Sequence, residues 1–295
     1  MEISPTYIQY KSYSTQPSFG SIATGLGKSV PNLRTNFTHF DRLGYDMNNL
    51  MDNVIRLSQQ YKTPINITIC GCSDGTKAIE LQMAAIKRFR ERGINFDLLP
   101  KINAFDIDGD MIKIAKNGRI NISDFEYEKL QKLYPASLYP FWGEKAELID
   151  IPGNDIEFIE KALNTKYRYS YQYNPKLLEK INIYQGDLFE EIPKLQSDIP
   201  QIVSFENIAI HLENDTQREK ASDLISQSLC PESDVIVGIR DKHYTQGASG
   251  TLPNNFVRRL LLNGFANDRN ISAHGCVLEK LHIDPKTGFY YRHRI

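Results

Sequence analysis

At 295 residues, with 41% hydrophobic and 24% charged side chains, the chain can bury one large core or two modest ones, which excludes disorder throughout. Its 35 Lys and Arg offset 36 Asp and Glu to a formal charge of −1, so no global basic excess draws it to nucleic acid or anionic lipid. The absence of a long apolar run, and of a basic start leading into one, predicts a cytoplasmic protein without a membrane segment.

Residues 1–33 are rich in Ser, Thr, Gly, Pro and Tyr without apolar periodicity and read as a flexible leader. From Tyr45, the spacing of Leu50, Met51, Val54, Ile55 and Leu57 predicts a helix that stops near Lys62-Thr63-Pro64, so residues 34–62 form a helical N-terminal segment. Ile65 to Cys70 is short, β-branched and apolar, runs into Gly71-Cys72-Ser73-Asp74-Gly75, and is followed by a helical pattern through Ile86. A second strand is expected at Ile102–Ile107 and a helix at Asp110–Lys116, which completes one βαβ unit. Between about 121 and 178 the periodicity weakens and aromatic residues crowd in, which predicts an inserted subdomain within a main domain at 63–295. There Tyr167, Tyr169, Tyr171 and Tyr173 alternate with polar residues as in a strand with one aromatic face. Further strands are expected at Ile181–Tyr184, Ile202–Phe205 and Val235–Ile239, a helix at Gln217–Leu229, and a terminal hairpin around Pro285-Lys286-Thr287-Gly288. The fold class is therefore α/β, a doubly wound and mostly parallel sheet with an antiparallel end.

Chemistry concentrates where these strands end. A glycine loop between a strand and a helix lets a nucleotide-like ligand approach the backbone, and Gly71 and Gly75 are spaced for it. The third glycine of the dinucleotide fingerprint is missing. An acid at the end of the next strand can accept hydrogen bonds from a ribose diol, and Asp106 is the first choice, with Asp108 second unless it caps the following helix. After the strand at 181–184, Asp187 could accept from an adenine amine while Leu188 lines the ring; Glu206 and Asn207 end what would be a central strand. Cys70 and Cys72 stand apart from Cys230, Cys276 and the histidines, so buried thiols are expected and no metal site.

These segments resemble the CheR-type methyltransferases, which move a methyl group from S-adenosylmethionine to glutamates of bacterial chemoreceptors. Thr35-Asn36-Phe37-Thr38-His39-Phe40-Asp41-Arg42 is similar to the family's T-N-x-T-x-F-F-R, the 71–75 loop to its A-x-S-T-G, Ala104-Phe105-Asp106-Ile107-Asp108 to its A-S-D-I-D, and Ile208-Ala209-Ile210-His211-Leu212 to its V-M-I-Y-F. The resemblance implies a class I methyltransferase-like seven-stranded sheet and an S-adenosylmethionine cofactor. It implies cofactor contacts from Asn36, Thr38, Gly71, Cys72, Ser73, Gly75, Asp106, Ile107, Asp187, Leu188, Glu206 and Asn207, with Arg42 pairing an acceptor carboxylate, one borne on a protein in the family. The chain departs from the family at Thr76-Lys77, where two acids are usual, at Glu206 for an Arg, and at His211 for a Tyr. With Glu206 favouring a cationic acceptor and His211 placed as a base, the acceptor side is altered. A cofactor-binding module without turnover, and a nicotinamide-dependent oxidoreductase, stay open as alternatives.

Overall fold

A computed structural model describes residues 46–135, 142–149, 160, 166–206, 208–212, 214–238, 255–268, 270–271 and 277–292. The leader at 1–33, and Asn36, Thr38, Arg42 and Asn207, lie outside the described residues.

The first helix, α1 (Met47–Tyr61), starts where the Asp46 carboxylate accepts the Asn48 and Asn49 N–H groups and stops at Lys62, which is left-handed at φ 53°. Its buried face is the predicted one, Leu50, Met51, Val54, Ile55 and Leu57. The βαβ unit follows as β1 (Asn66–Cys70), α2 (Thr76–Glu91) and β2 (Lys101–Asp106). The helix predicted from Asp110 is α3 (Gly109–Asn117), one residue longer at each end, because Asp108 caps it by accepting from Asp110 and Met111. One 3-10 turn (Ile192–Leu195) aside, the described chain then runs β3 (Arg119–Ser123), α4 (Asp124–Leu133), β4 (Gly143–Ala146), β5 (Tyr167–Tyr173), α5 (Pro175–Leu178), β6 (Ile181–Gln185), α6 (Leu188–Glu191) and β7 (Ile202–Phe205). It continues with α7 (Asp215–Ser228), β8 (Asp234–Val237), α8 (Asn255–Leu262), β9 (Phe265–Asn267), β10 (Val277–Lys280), β11 (His282–Ile283) and β12 (Tyr290–Tyr291).

Seven strands form one sheet in the order β6-β2-β1-β7-β8-β10-β9. The first five are parallel, and β10 runs antiparallel to both β8 and β9. Alternate residues of each strand serve opposite faces, as a sheet covered on both sides requires. Ile67, Ile69, Ile102, Ala104, Ile202, Ile236 and Val277 belong to one core with residues of α1, α2 and α3. Cys70, Phe105, Val203, Phe205, Val235, Val237 and Leu278 belong to a second core with residues of α7 and α8. Each fully buried Ile, Leu or Val in these layers contributes about 1.5–3 kcal/mol.

The predicted terminal hairpin resolves into two antiparallel features. Strand β10 enters the main sheet, whereas β11 and β12 pair with each other around Pro285–Gly288. Between α3 and β6, a separate sheet of order β3-β5-β4 carries the tyrosine run. Its aromatic face packs inward: Tyr171 and Tyr173 are buried with ring centroids 4.9 Å apart, and Tyr127 of α4 stands edge-on to Tyr169. Lys145 of β4 lies over the rings of Tyr127 and Tyr169, at 3.9 and 4.0 Å from their centroids. The strand thus spends its aromatic side on the hydrophobic core that it shares with one face of the main sheet. No described helix is long and apolar enough to cross a membrane.

Candidate functional site

The carboxyl ends of β6, β2, β1 and β7 lie side by side in the sheet, and the chain order reverses between β1 and β7, where open α/β sheets leave a crevice. A cleft of about 550 Å³, partly open to solvent, occupies this position. It is lined by Gly186, Asp187, Leu188 and Phe189 after β6, by Phe105, Asp106 and Ile107 at β2, and by Gly71 at β1. Ile208, His211 and Leu212 after β7, with Gln217 of α7, complete it.

The glycine loop is held by its neighbours across the sheet. Gly71 is left-handed at φ +62°, a conformation that favours glycine, and a Cβ there would meet Ile208 Cδ1 at 2.6 Å and displace it. The Cys72 N–H donates to the Phe105 carbonyl at 2.9 Å. Ser73, also left-handed at φ 49°, donates its N–H to Asp106 Oδ2 at 2.8 Å. Asp74 is buried and its Oδ1 accepts both the N–H and the hydroxyl of Thr76, which starts α2. Gly75 is left-handed at φ +84°, with Ala115 of α3 at 3.0 Å from where its Cβ would be.

Asp106 therefore ties the loop to the β2 end, since its other oxygen accepts the Asp108 N–H at 3.0 Å. Burial pushes its carboxyl above the usual carboxylate range, against the opposing pull of the Asp108 and Ser73 N–H groups. The Ile107 N–H also bonds to this carboxylate, so three backbone N–H groups hold it at the cleft. Asp187 Oδ1 caps α6 by accepting the Phe189 N–H at 2.8 Å, which sets Leu188 and Phe189 at the cleft's far end. On the opposite side, the Arg218 guanidinium is buried and donates to the carbonyls of Ala209 and Leu212 at 2.9 and 2.7 Å. This locks the turn that presents Ile208 and His211 to the cleft.

Of the residues predicted from sequence, Gly71, Asp106, Ile107, Asp187, Leu188 and His211 line the cleft together. Cys72, Ser73 and Gly75 shape the loop behind that lining; burial drives the Cys72 thiol well up, as befits a packing residue. Glu206 is buried at the end of β7 and is not part of the cleft wall. Asp108 is spent on capping α3. Sequence reasoning missed Phe105, Gly186, Phe189, Ile208, Leu212 and Gln217. Most of these adjoin a residue it named, so the signal was position next to a strand end, whereas Gln217 sits in the first turn of α7 without any local mark. No group of three or more His, Cys, Asp or Glu among the described residues could hold a metal.

No family model matches the sequence, and no curated protein matches it. Among solved structures, the chain is similar to the N-methyltransferase NodS from Bradyrhizobium japonicum WM9, at 13% identity over 78% of this chain and 90% of that one, with a TM-score of 0.36. It is also similar to magnesium protoporphyrin IX methyltransferase (ChlM) from Synechocystis PCC 6803 with bound SAM, at 12% identity over 82% and 75% of the two chains, with a TM-score of 0.32.

Proposed function

We propose that this chain is an S-adenosylmethionine-dependent methyltransferase. One observation carries the reading: a single cleft crosses four adjacent strand ends and presents, in spatial order, an acid beside apolar side chains at β6, an acid held by backbone N–H groups at β2, a glycine at β1 and a histidine after β7. Leu188 and Phe189 suit an adenine ring with Asp187 beside its amine; Asp106 suits the ribose diol; bare Gly71 lets the 5′ side chain lie close to the backbone.

The cofactor would supply an electrophilic methyl on a sulfonium, and the protein's part is mainly to hold donor and acceptor in line. Asp106 orients the ribose while Ser73 and Asp108 keep its carboxylate from rotating. His211 stands at the acceptor end, where an imidazole can take a proton from an amine or hydroxyl acceptor. The resemblance supports the finer reading of a CheR-like enzyme with a carboxylate on a protein as acceptor, Arg42 pairing it, and residues 34–62 contributing Asn36 and Thr38 to the cofactor site. A second reading, a binding module without turnover, is favoured by α2, whose first turn holds no acid and whose Lys77 pairs with Glu80 at 3.0 Å.

Calorimetric titration with S-adenosylmethionine, S-adenosylhomocysteine and NAD tests the reading. Micromolar binding of both adenosyl compounds without NAD is expected, and binding of NAD alone overturns it in favour of an oxidoreductase. Transfer of labelled methyl to protein or amine acceptors then separates the enzyme from the module.

A further inference from the structure

We infer that Ile208 sets the size of the group that the cofactor carries on sulfur, admitting methyl and rejecting longer alkyl chains. The inference rests on the adenosyl reading above. Neighbouring strands stand about 4.8 Å apart, so three steps from β6 to β7 span roughly 14 Å, enough for a nucleoside and the first atoms of its 5′ side chain. With the base at Leu188 and the ribose at Asp106, the sulfur falls over β1 and the gap to β7.

At that end Gly71 and Ile208 form part of the wall, with His211 and Leu212 following Ile208 in the chain. Ile208 Cδ1 and Cγ1 lie 2.6 and 3.4 Å from where a Gly71 Cβ would be, so the isoleucine occupies the space a side chain at 71 would fill. It has little freedom to withdraw. Its own carbonyl accepts the His211 N–H at 2.9 Å, the next residue, Ala209, is fully buried, and Arg218 holds the Ala209 and Leu212 carbonyls. A β-branched side chain is restricted at χ1, which keeps its branch at this wall. An extra methylene on sulfur therefore meets the Ile208 side chain at close range, and apolar walls separate ligands differing by one methylene by about 10- to 200-fold.

The test is calorimetric, on the full chain, with S-adenosylhomocysteine, S-adenosylmethionine and S-adenosylethionine; the first lacks the transferable group and reports the rest of the cleft alone. The wild type should bind the ethyl compound at least about tenfold more weakly than the methyl compound. In Ile208→Ala this ratio should fall below about threefold, with S-adenosylhomocysteine affinity within about threefold of wild type. Should Ile208→Ala fail to bind S-adenosylhomocysteine, Ile208→Val, which removes only the Cδ1 nearest Gly71, decides: its ratio drops at least about threefold or the inference is overturned. An unchanged ratio in Ile208→Ala with S-adenosylhomocysteine binding intact overturns the inference and leaves the cofactor reading standing. A wild type that binds none of the three compounds removes both.

Discussion

Asp106 and Asp108 look alike in the sequence, two residues apart in one acidic cluster, yet the structure gives them different work. Asp108 caps α3 with its carboxylate, whereas Asp106 joins the glycine loop to β2 and faces the cleft. Asp106→Ala should weaken S-adenosylhomocysteine binding by at least about tenfold, since it removes a charged acceptor from the cleft and frees the Ser73 N–H. Titration calorimetry checks this, and unchanged affinity would remove the ribose assignment. Tyr173 offers a test in the opposite direction. Its ring is 1% exposed and its hydroxyl has no hydrogen-bond partner among the described residues, so the fold pays for a desolvated polar group. Tyr173→Phe keeps the ring packing and should stabilise the protein by about 1 kcal/mol in urea unfolding. The tyrosine periodicity was legible, but not which hydroxyl would be left without a partner, because that depends on groups from elements distant in the chain.

Among elements, the contact of α1 with α2 is pinned by Asp52, whose carboxylate takes paired hydrogen bonds from Arg88 at 2.8 and 2.5 Å and from Arg92 at 3.1 and 2.8 Å. The Arg88 hydrogen bonds lead in holding its carboxyl down at about 2, against burial. Because the folded value lies below the unfolded one, the stabilisation is complete above the ordinary Asp range and is lost as pH falls from about 4 towards 2. Asp52→Asn should therefore cost about 1 kcal/mol at neutral pH, and the difference from wild type should close as pH falls through about 2 in acid-unfolding curves. The helices and most strands were legible because burial imposes a period of 3.6 or 2 on the residues. Boundaries moved by a residue or two where a cap decided them, as Asn214 does by accepting the Gln217 N–H and starting α7 at Asp215. The split of the terminal hairpin was not legible, because β10 and β11 are separated only by Leu281 and read as one apolar run.

For the molecule as a whole, ligand binding and folding are linked. At a concentration of S-adenosylhomocysteine a hundredfold above its dissociation constant, the folded state should gain about 2.7 kcal/mol. In a chain of this size that raises the thermal midpoint by roughly 4–5 °C, which a thermal unfolding scan reads directly; no shift would speak against an adenosyl site. Local patterns in the chain were enough to specify the alternation of strands and helices, the preference for glycine at 71, and an acid at the end of β2, since these follow from backbone conformation and burial within a few residues. Which strand ends share a cleft was settled only in three dimensions. Strand β7 pairs with β1 across more than half the described chain, and Ile208 comes to rest on Gly71. Those contacts depend on long-range packing of two sheet faces, and no sequence window short enough to show a period contains both partners.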